Sequence, residues 1–351
     1  MLHSIPDSPH RARLLEVMEL QSRLLSALCT LKARSTVDLP WLQALWHELD
    51  ADWVRKFWEN DTGKRQHWLK TVAAASKADK QQLLSLHDEQ QRFPELYASP
   101  ATLRLTRQSW SAEPFASAKA LLNAFYAPLF YKDEGFPNSD GSRFHKDHFI
   151  GHPPPKVCPY TDNTIQDTKL DHFLPKDDFP MLSLHPDNLI PCSTDPNSLS
   201  HKGRLIPLDP TAPDQAANWF HPRQRPATGT YRLDFPDQRS PNPTVRFIAH
   251  APEDQPRLDN LDRLFDVTEF WGRMLDDELQ LIASQIEQDL AEDGTAPAEA
   301  VVIQRLNRES RKMQSRISRD GLAIVKAAYY AHIAKTPRLL AQVIRLCQKG
   351  T

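Results

Sequence analysis

The sequence predicts an α+β protein in which a small core of short strands and loops is embedded between two helical regions. Three observations carry that expectation. Apolar residues recur at helical spacing through residues 1–135 and return to it from 257 to 351. The intervening residues 136–256 hold most of the 29 prolines, including the runs HPPPKVCPY and PDQRSPNPT, and so forbid long helices. Inside that stretch TYRLDF alternates Tyr231, Leu233 and Phe235 with Arg232 and Asp234, which is the two-residue period of a strand.

The elements follow in order. RARLLEVMELQSRLLSALCTLK places Leu14, Met18, Leu25, Leu28 and Leu31 near one helix face. In DLPWLQALWHELDADWVRKFWEN, Asp38 is a cap and Pro40 sits near the helix start. Leu42, Leu45, Trp46, Leu49, Trp53 and Phe57 then form one stripe. The cluster of Trp41, Trp46, Trp53, Trp58 and Trp68 has the composition of a platform for stacking bases, but an aromatic core is the simpler expectation. In the middle region TVRFIA is suited to pair with TYRLDF. The third region opens with FDVTEFWGRMLDDELQLIASQIEQDL, where the Asp266-to-Glu269 spacing resembles a capping box. Val267, Phe270, Trp271, Met274, Ile282, Ile286 and Leu290 give that helix its buried face, and DGTAPAE breaks it. Further helices follow through AVVIQRLNRESRKMQSRISRD and GLAIVKAAYYAHIA, with a short last one.

At 351 residues the chain has room for two or three subdomains. Its formal net charge is −2, so nucleic acid is not attracted by a global positive field and must be held by local patches. Cys29, Cys158, Cys192 and Cys347 are too scattered for a secreted disulfide framework, which suits a reducing, cytoplasmic setting. The N-terminal MLHSIPDSPHRAR lacks the apolar segment of a secretory signal, and no apolar run is long enough to insert in a membrane. No Walker or Rossmann glycine pattern is present, so no nucleotide cofactor is expected.

The chemistry-bearing stretch is LDHFLPKDDFPMLSLHPDNLIPCSTDPN, residues 170–197. Hydrolysing a phosphodiester takes a base to activate water, a cation at the phosphate and stabilisation of the leaving oxygen. Asp171 offers a carboxylate beside the imidazole of His172, in a segment expected to be a strand. Adjacent strand residues point to opposite faces, so both serve one site only if a bend or the ion's geometry reconciles them. Asn188 opens a second apolar run, NLIPC, and Asn197 begins the polar segment NSLSHKGR.

Asp-His, then Asn, then Asn, at this spacing resembles the HNH nuclease motif of the ββα-metal fold. The resemblance is supported upstream by KVCPYTD, at the position of a zinc-binding Cys-x-x-Cys, and by LDHFLPK, a form of the family's first motif. It is greatest with HNH effector nucleases of bacterial anti-phage operons, of Septu, retron or Zorya type. The motif core covers residues 158–204, with weaker similarity over 125–290. The resemblance implies a small HNH core between the two helical regions, cleaving or nicking DNA with Mg²⁺ or Mn²⁺. HNH chemistry does not exclude RNA, and defence-system partner proteins are implied as well. His172 matches the general base, and Asn188 matches the residue that shapes the loop and orients it. Asp171 and Asn197 match metal ligands, and His201 resembles the extra ligand of some members. The alternative is a non-catalytic interaction subunit whose HNH shell binds nucleic acid only.

Departures from the family pattern are specific. Zinc-stiffened members carry two Cys-x-x-Cys pairs. Here the first pair is Cys158 with Thr161, and Ser193 and Pro196 stand at the second, with Cys192 one residue out of register. A structural zinc is therefore not expected. RLNRESRKMQSRISR places Arg305, Arg308, Lys312, Arg316 and Arg319 at spacings of three and four, a phosphate-binding stripe or a face paired with the acids Asp276, Asp277, Glu278, Glu287 and Asp289. Lys176 and Lys202 flank the motif as further nucleic-acid contacts. His145, His148 and His152 cluster in RFHKDHFIGH without carboxylates in firm ligand spacing, as surface histidines do.

Overall fold

The computed structural model describes residues 2–32, 35–98, 103–132, 134–151, 154–193, 202, 205–209, 211–212, 214–236 and 243–348. Within them the chain is mixed: helices dominate both ends, and the strands form three antiparallel sheets of two strands each.

The N-terminal helices are α1 (Arg11–Thr30), α2 (Leu39–Leu45), α3 (Ala51–Glu59), α4 (Lys64–Ala73), α5 (Lys77–Gln91), α6 (Phe93–Ala98) and α7 (Phe115–Ala124). The stripe expected over residues 38–60 is divided between α2 and α3. Two carboxylates explain the division. Asp38 Oδ1 accepts from Trp41 N at 2.9 Å and starts α2, and Asp50 Oδ1 accepts from Trp53 N at 2.7 Å and starts α3. Trp46 is wholly buried, with its ring 5.1 Å from Phe57 and 6.0 Å from Phe125. Trp53 and Trp58 are buried as well, so these rings fill a core and present no stacking platform. Beyond α7 the chain continues as a wider π-helical stretch, Phe125–Tyr131, around Pro128, whose missing N–H removes one helical bond.

The middle region contributes β1 (Phe136–Pro137), β2 (Arg143–Phe144), α8 (Lys146–Ile150), β3 (Thr168–His172), β4 (Leu189–Ser193), β5 (Tyr231–Asp234) and β6 (Arg246–Ala249). The strand pair expected from TYRLDF and TVRFIA forms, with Tyr231 opposite Ala249 and Asp234 opposite Arg246. In the β3–β4 ribbon Thr168 lies opposite Ser193 and His172 opposite Leu189. All five residues of β4 are buried. Leu170 and Leu189 join a core made mainly by α1 to α7, and Ile190 and Cys192 join a second core on the other side. β4 is thus a wall between two cores, apolar on both faces, while β3 beside it is half-buried apart from Leu170.

The C-terminal helices are α9 (Gln255–Phe265), α10 (Val267–Met274), α11 (Glu278–Glu292), α12 (Glu299–Gln314), α13 (Ala323–Lys335) and α14 (Pro337–Cys347). The long helix expected after Phe265 is two helices, α10 and α11. The capping box expected at Asp266 does not form: that residue is left-handed, at φ 47°, and makes no side-chain cap bond. Asp262 takes the role, accepting from Thr268 N at 2.8 Å and Thr268 Oγ1 at 2.7 Å. The basic stripe is shorter than its spacing implied, because α12 ends at Gln314 and leaves Arg316 and Arg319 beyond it.

The two cores cross the boundaries at residues 135 and 256. Phe93, Leu96 and Tyr97 pack with the C-terminal helices, and Phe136, Phe144 and Phe149 pack with the N-terminal ones. No helix among the described residues is long and apolar enough to cross a membrane.

Asp50→Ala is expected to cost about 1 kcal/mol in urea denaturation by removing a cap. Asp52→Ala, two residues along on the exposed face, should change stability by less than about 0.5 kcal/mol. Equal losses would show that α3 does not depend on its cap.

Candidate functional site

The site is built at the end of β3, where the chain leaves the ribbon, makes a loop over residues 173–188 and returns as β4. The loop is closed by Asn188, which is fully buried. Its Oδ1 accepts from Leu174 N at 2.7 Å, and its Nδ2 donates to Leu174 O at 3.0 Å and Leu182 O at 3.1 Å. Phe173 N also donates to the main-chain O of Asn188, at 2.8 Å. One amide therefore ties both ends of the loop and its middle.

His172 projects from the ribbon face that carries Leu170. Its Nε2 lies 3.0 Å from the carbonyl oxygen of Ser183, and its ring meets Tyr126 edge-on at 4.3 Å. A carbonyl only accepts, so Nε2 carries the proton and Nδ1 is the basic nitrogen. Burial pushes the imidazole down to about 4, opposed by the Ser183 hydrogen bond and the Asp171 charge, while Lys176 and Lys202 push the same way as burial. The ring is therefore neutral at pH 7. Gln21 of α1 fixes this arrangement from behind, donating to Ser183 Oγ at 3.2 Å and to Leu122 O at 3.0 Å. Sequence reasoning missed Gln21, Ser183 and Tyr126. The available signal was a glutamine on the apolar face of α1, between Leu20 and Leu24.

Asp171 belongs to the other face. The ladder is regular through His172, so no bend brings the two side chains to the same side. Asp171 Oδ2 accepts from Tyr160 Oη at 2.9 Å and from the Lys202 ammonium, which also donates to His172 O at 2.5 Å. Lys202 is only 4% exposed, with the rings of Tyr160 and Phe173 about it at 6.0 and 5.9 Å. Expected on phosphate, it is instead an internal counter-ion, because an ammonium buried there needs the carboxylate. Asn197 and His201 lie outside the described residues, as do His152 and Pro196. Among the described residues no three His, Cys, Asp or Glu side chains are grouped to hold a metal ion. Of the expected ligands only Asp171 is described, and it carries an ammonium, so the residues described do not make a divalent-cation site.

Around Cys158 and Thr161, where the family's first zinc-binding pair stands, the described residues are held by protein contacts. Cys158 N donates to Asn163 O at 2.8 Å and Asp162 N to Cys158 O at 3.0 Å, closing a tight turn. Thr161 is buried, and its carbonyl accepts from Trp271 Nε1 at 3.0 Å. Tyr160 stacks on Phe265 at 4.4 Å. Asp162, at φ 60°, is wholly buried and joins three parts of the chain. Its Oδ1 pairs with His3 Nε2 at 2.6 Å, its Oδ2 accepts from Ile324 N at 3.0 Å, and its main-chain O accepts from Leu322 N at 2.5 Å.

The remaining expected contacts are dispersed. Lys176 follows β3 and is half-buried, close enough to lower the His172 pKa. Lys312 pairs with Glu309 of its own helix at 2.9 Å, and Arg316 with Asp320 at 3.1 Å. Arg308 is exposed and has no ion-pair partner among the described residues. The acidic helix does not cover the stripe: Glu278 is buried against Lys326 at 2.7 Å, and only Arg305 reaches across, to Asp293. His145 and His148 stack edge-on at 4.4 Å. A further cluster lies under the loop, where His185 packs on Phe93 and Asp187 takes both guanidinium nitrogens of Arg11 at 2.6 and 2.8 Å.

No family model, curated protein or solved structure matches the chain.

Asn188→Ala would leave Leu174 N and Leu174 O unpartnered, while Leu182 O keeps His185 N, and should cost about 3 kcal/mol in chemical denaturation. A loss below about 1 kcal/mol would mean that packing alone holds the loop. A second prediction concerns pH. Burial pushes His185 down to about 4. An unfolded histidine titrates near ~6.5, so the unfolded chain takes up this proton first as pH falls. Stability complete above pH ~6.5 is therefore lost towards pH ~4, at up to about 1.4 kcal/mol per pH unit for one such group. His185→Gln should flatten that slope, and an unchanged slope would exclude this residue as its source.

Proposed function

We propose that the chain is a metal-dependent HNH-type endonuclease that cleaves or nicks DNA, with RNA as a further substrate class, and that it acts as an anti-phage effector with partner proteins. The observation that carries the reading is His172. Its Nε2 is tied to the Ser183 carbonyl, which leaves Nδ1 as the unprotonated nitrogen, at the end of a ribbon whose loop is pinned by Asn188. A neutral imidazole of fixed tautomer is what removing a proton from water requires.

In this reading His172 Nδ1 accepts the proton from water attacking phosphorus, and Gln21 and Tyr126 keep the ring in place. Lys176 supplies positive charge beside it. A divalent cation, Mg²⁺ or Mn²⁺, would have to be held by Asn197 and His201 with Asp171 released from Lys202, and would supply positive charge at the phosphate. DNA would also meet the exposed Arg308, Lys312 beside its buried partner Glu309, and Arg316, whose exposed pair with Asp320 is worth only about 0–1 kcal/mol and can be exchanged for phosphate.

The ion pair between Lys202 and Asp171 favours a second reading. With that carboxylate neutralised, the chain would be a non-catalytic nucleic-acid-binding or interaction subunit. Incubating the protein with supercoiled plasmid and Mg²⁺ or Mn²⁺ separates the two. Cleavage is expected, and His172→Ala should lower it by about 10²–10⁴-fold at a temperature where circular dichroism shows the variant still folded. Cleavage that survives this substitution would end the assignment of His172. Absence of cleavage by the unaltered chain, with retained DNA binding, would favour the second reading.

A further inference from the structure

Away from the ribbon, a cavity of about 760 Å³ opens where the C-terminal ends of α1 and α4 meet the start of α5. Its size falls within the range of small-molecule sites, ~300–1,000 Å³. Four lysines line it, Lys32, Lys70, Lys77 and Lys80, and no carboxylate does. None of the four has an ion-pair partner among the described residues. The buried cations Arg65 and Lys202, by contrast, each face a carboxylate. The cavity therefore gathers four positive charges with no facing carboxylate, in a chain whose net charge is −2.

Lys80 is the telling member. It is only 8% exposed, yet the sole described acceptor for its ammonium is Leu31 O at 3.3 Å, a long contact. An ammonium carries three N–H donors and is costly to bury without an anion. Lys32, Lys70 and Lys77 stand on the exposed rim. Between the charges the wall is apolar, formed by Leu31, Val37 and Leu84. Two chemistries are thus side by side: an anionic group matched to the lysines, and an uncharged flat or compact body matched to the apolar wall.

We propose that this cavity binds a phosphorylated nucleoside, with its phosphoryl oxygens on Lys80 and the rim lysines and its body against Leu31, Val37 and Leu84. Lysine serves phosphate as a point charge and needs no glycine-rich loop. That is compatible with the absence of Walker and Rossmann patterns from the sequence. The same chemistry is carried by a free nucleotide and by the end of a nucleic-acid strand. Binding is the whole of the proposal, and no bond of the ligand is broken here. The proposal is independent of the reaction assigned to His172.

The test uses the full chain in titration calorimetry at low salt, with ATP, inorganic tripolyphosphate and a 5′-phosphorylated single-stranded decanucleotide as probes. Saturable one-site binding of ATP, weaker for tripolyphosphate, is expected. Lys70→Ala combined with Lys77→Ala should weaken it by about tenfold or more, as lost charged hydrogen bonds do. These positions are exposed, so the fold is retained. Lys80→Met should remove binding and spare or raise the melting temperature, because it takes out a buried cation. His172→Ala should bind like the unaltered chain, so failure of the nuclease reading leaves this result standing. Tighter binding of the decanucleotide, in competition with ATP, would identify a strand end as the ligand. No saturable binding by any probe, or binding indifferent to the rim double variant, overturns the proposal.

Discussion

A two-stranded β-ribbon is at best marginally stable alone in water, and the candidate site hangs on one. The β3–β4 pair solves the problem by burying both faces, each against a different helical core. Fully burying an aliphatic side chain contributes about 1.5–3 kcal/mol, so Leu170 and Leu189 on one side and Ile190 on the other anchor the ribbon firmly. The constraint has a geometric result. Alternation sends His172 towards Tyr126 and the N-terminal helices, and Asp171 towards Tyr160 and the C-terminal ones. Each of the two motif residues is thereby positioned by a different half of the molecule. Asn188 then fixes the loop that joins the strands, using a single carboxamide where a run of secondary structure would otherwise be needed.

Much of this was legible in the sequence because it rests on local pattern. The strand carrying Asp171 and His172, the β5–β6 pair and the helical character of the two ends were legible, whereas NLIPC showed only as an apolar run and its pairing as β4 did not. Where local signals compete, the reading was coarser. Asp50 carries the same capping information as Asp38, but it sits inside a continuous apolar stripe that masked the break. The contact of Asp262 with Thr268 spans the junction between two helices, and no fixed spacing announces it. The neighbours of His172 come from residues 21, 126 and 183, which only the tertiary fold brings together. Lys202 is the clearest case. From sequence it is one more cation beside a nuclease-like motif, and only its burial shows it bound to Asp171.

The polar interior follows the same logic. Buried charges here are handled in pairs or by backbone donors, as with Asp187 and Arg11 or Asp162 and the N–H of Ile324. His172 and His185 are held neutral by burial, so the region between the cores stays almost free of unpaired charge. Lys80, with one long carbonyl contact, departs from that pattern on the far side of the N-terminal helices.

The turn around Asp162 also sets an order of events during synthesis. Its partners are His3, 159 residues earlier, and Ile324, 162 residues later, with Leu322 beside it. Contacts across such separations form late, because the intervening chain must first be gathered in. Tyr160, two residues before Asp162, is the hydroxyl that holds Asp171. A growing chain therefore cannot complete this support until residue 324 has emerged, and a truncated product would carry the ribbon without it.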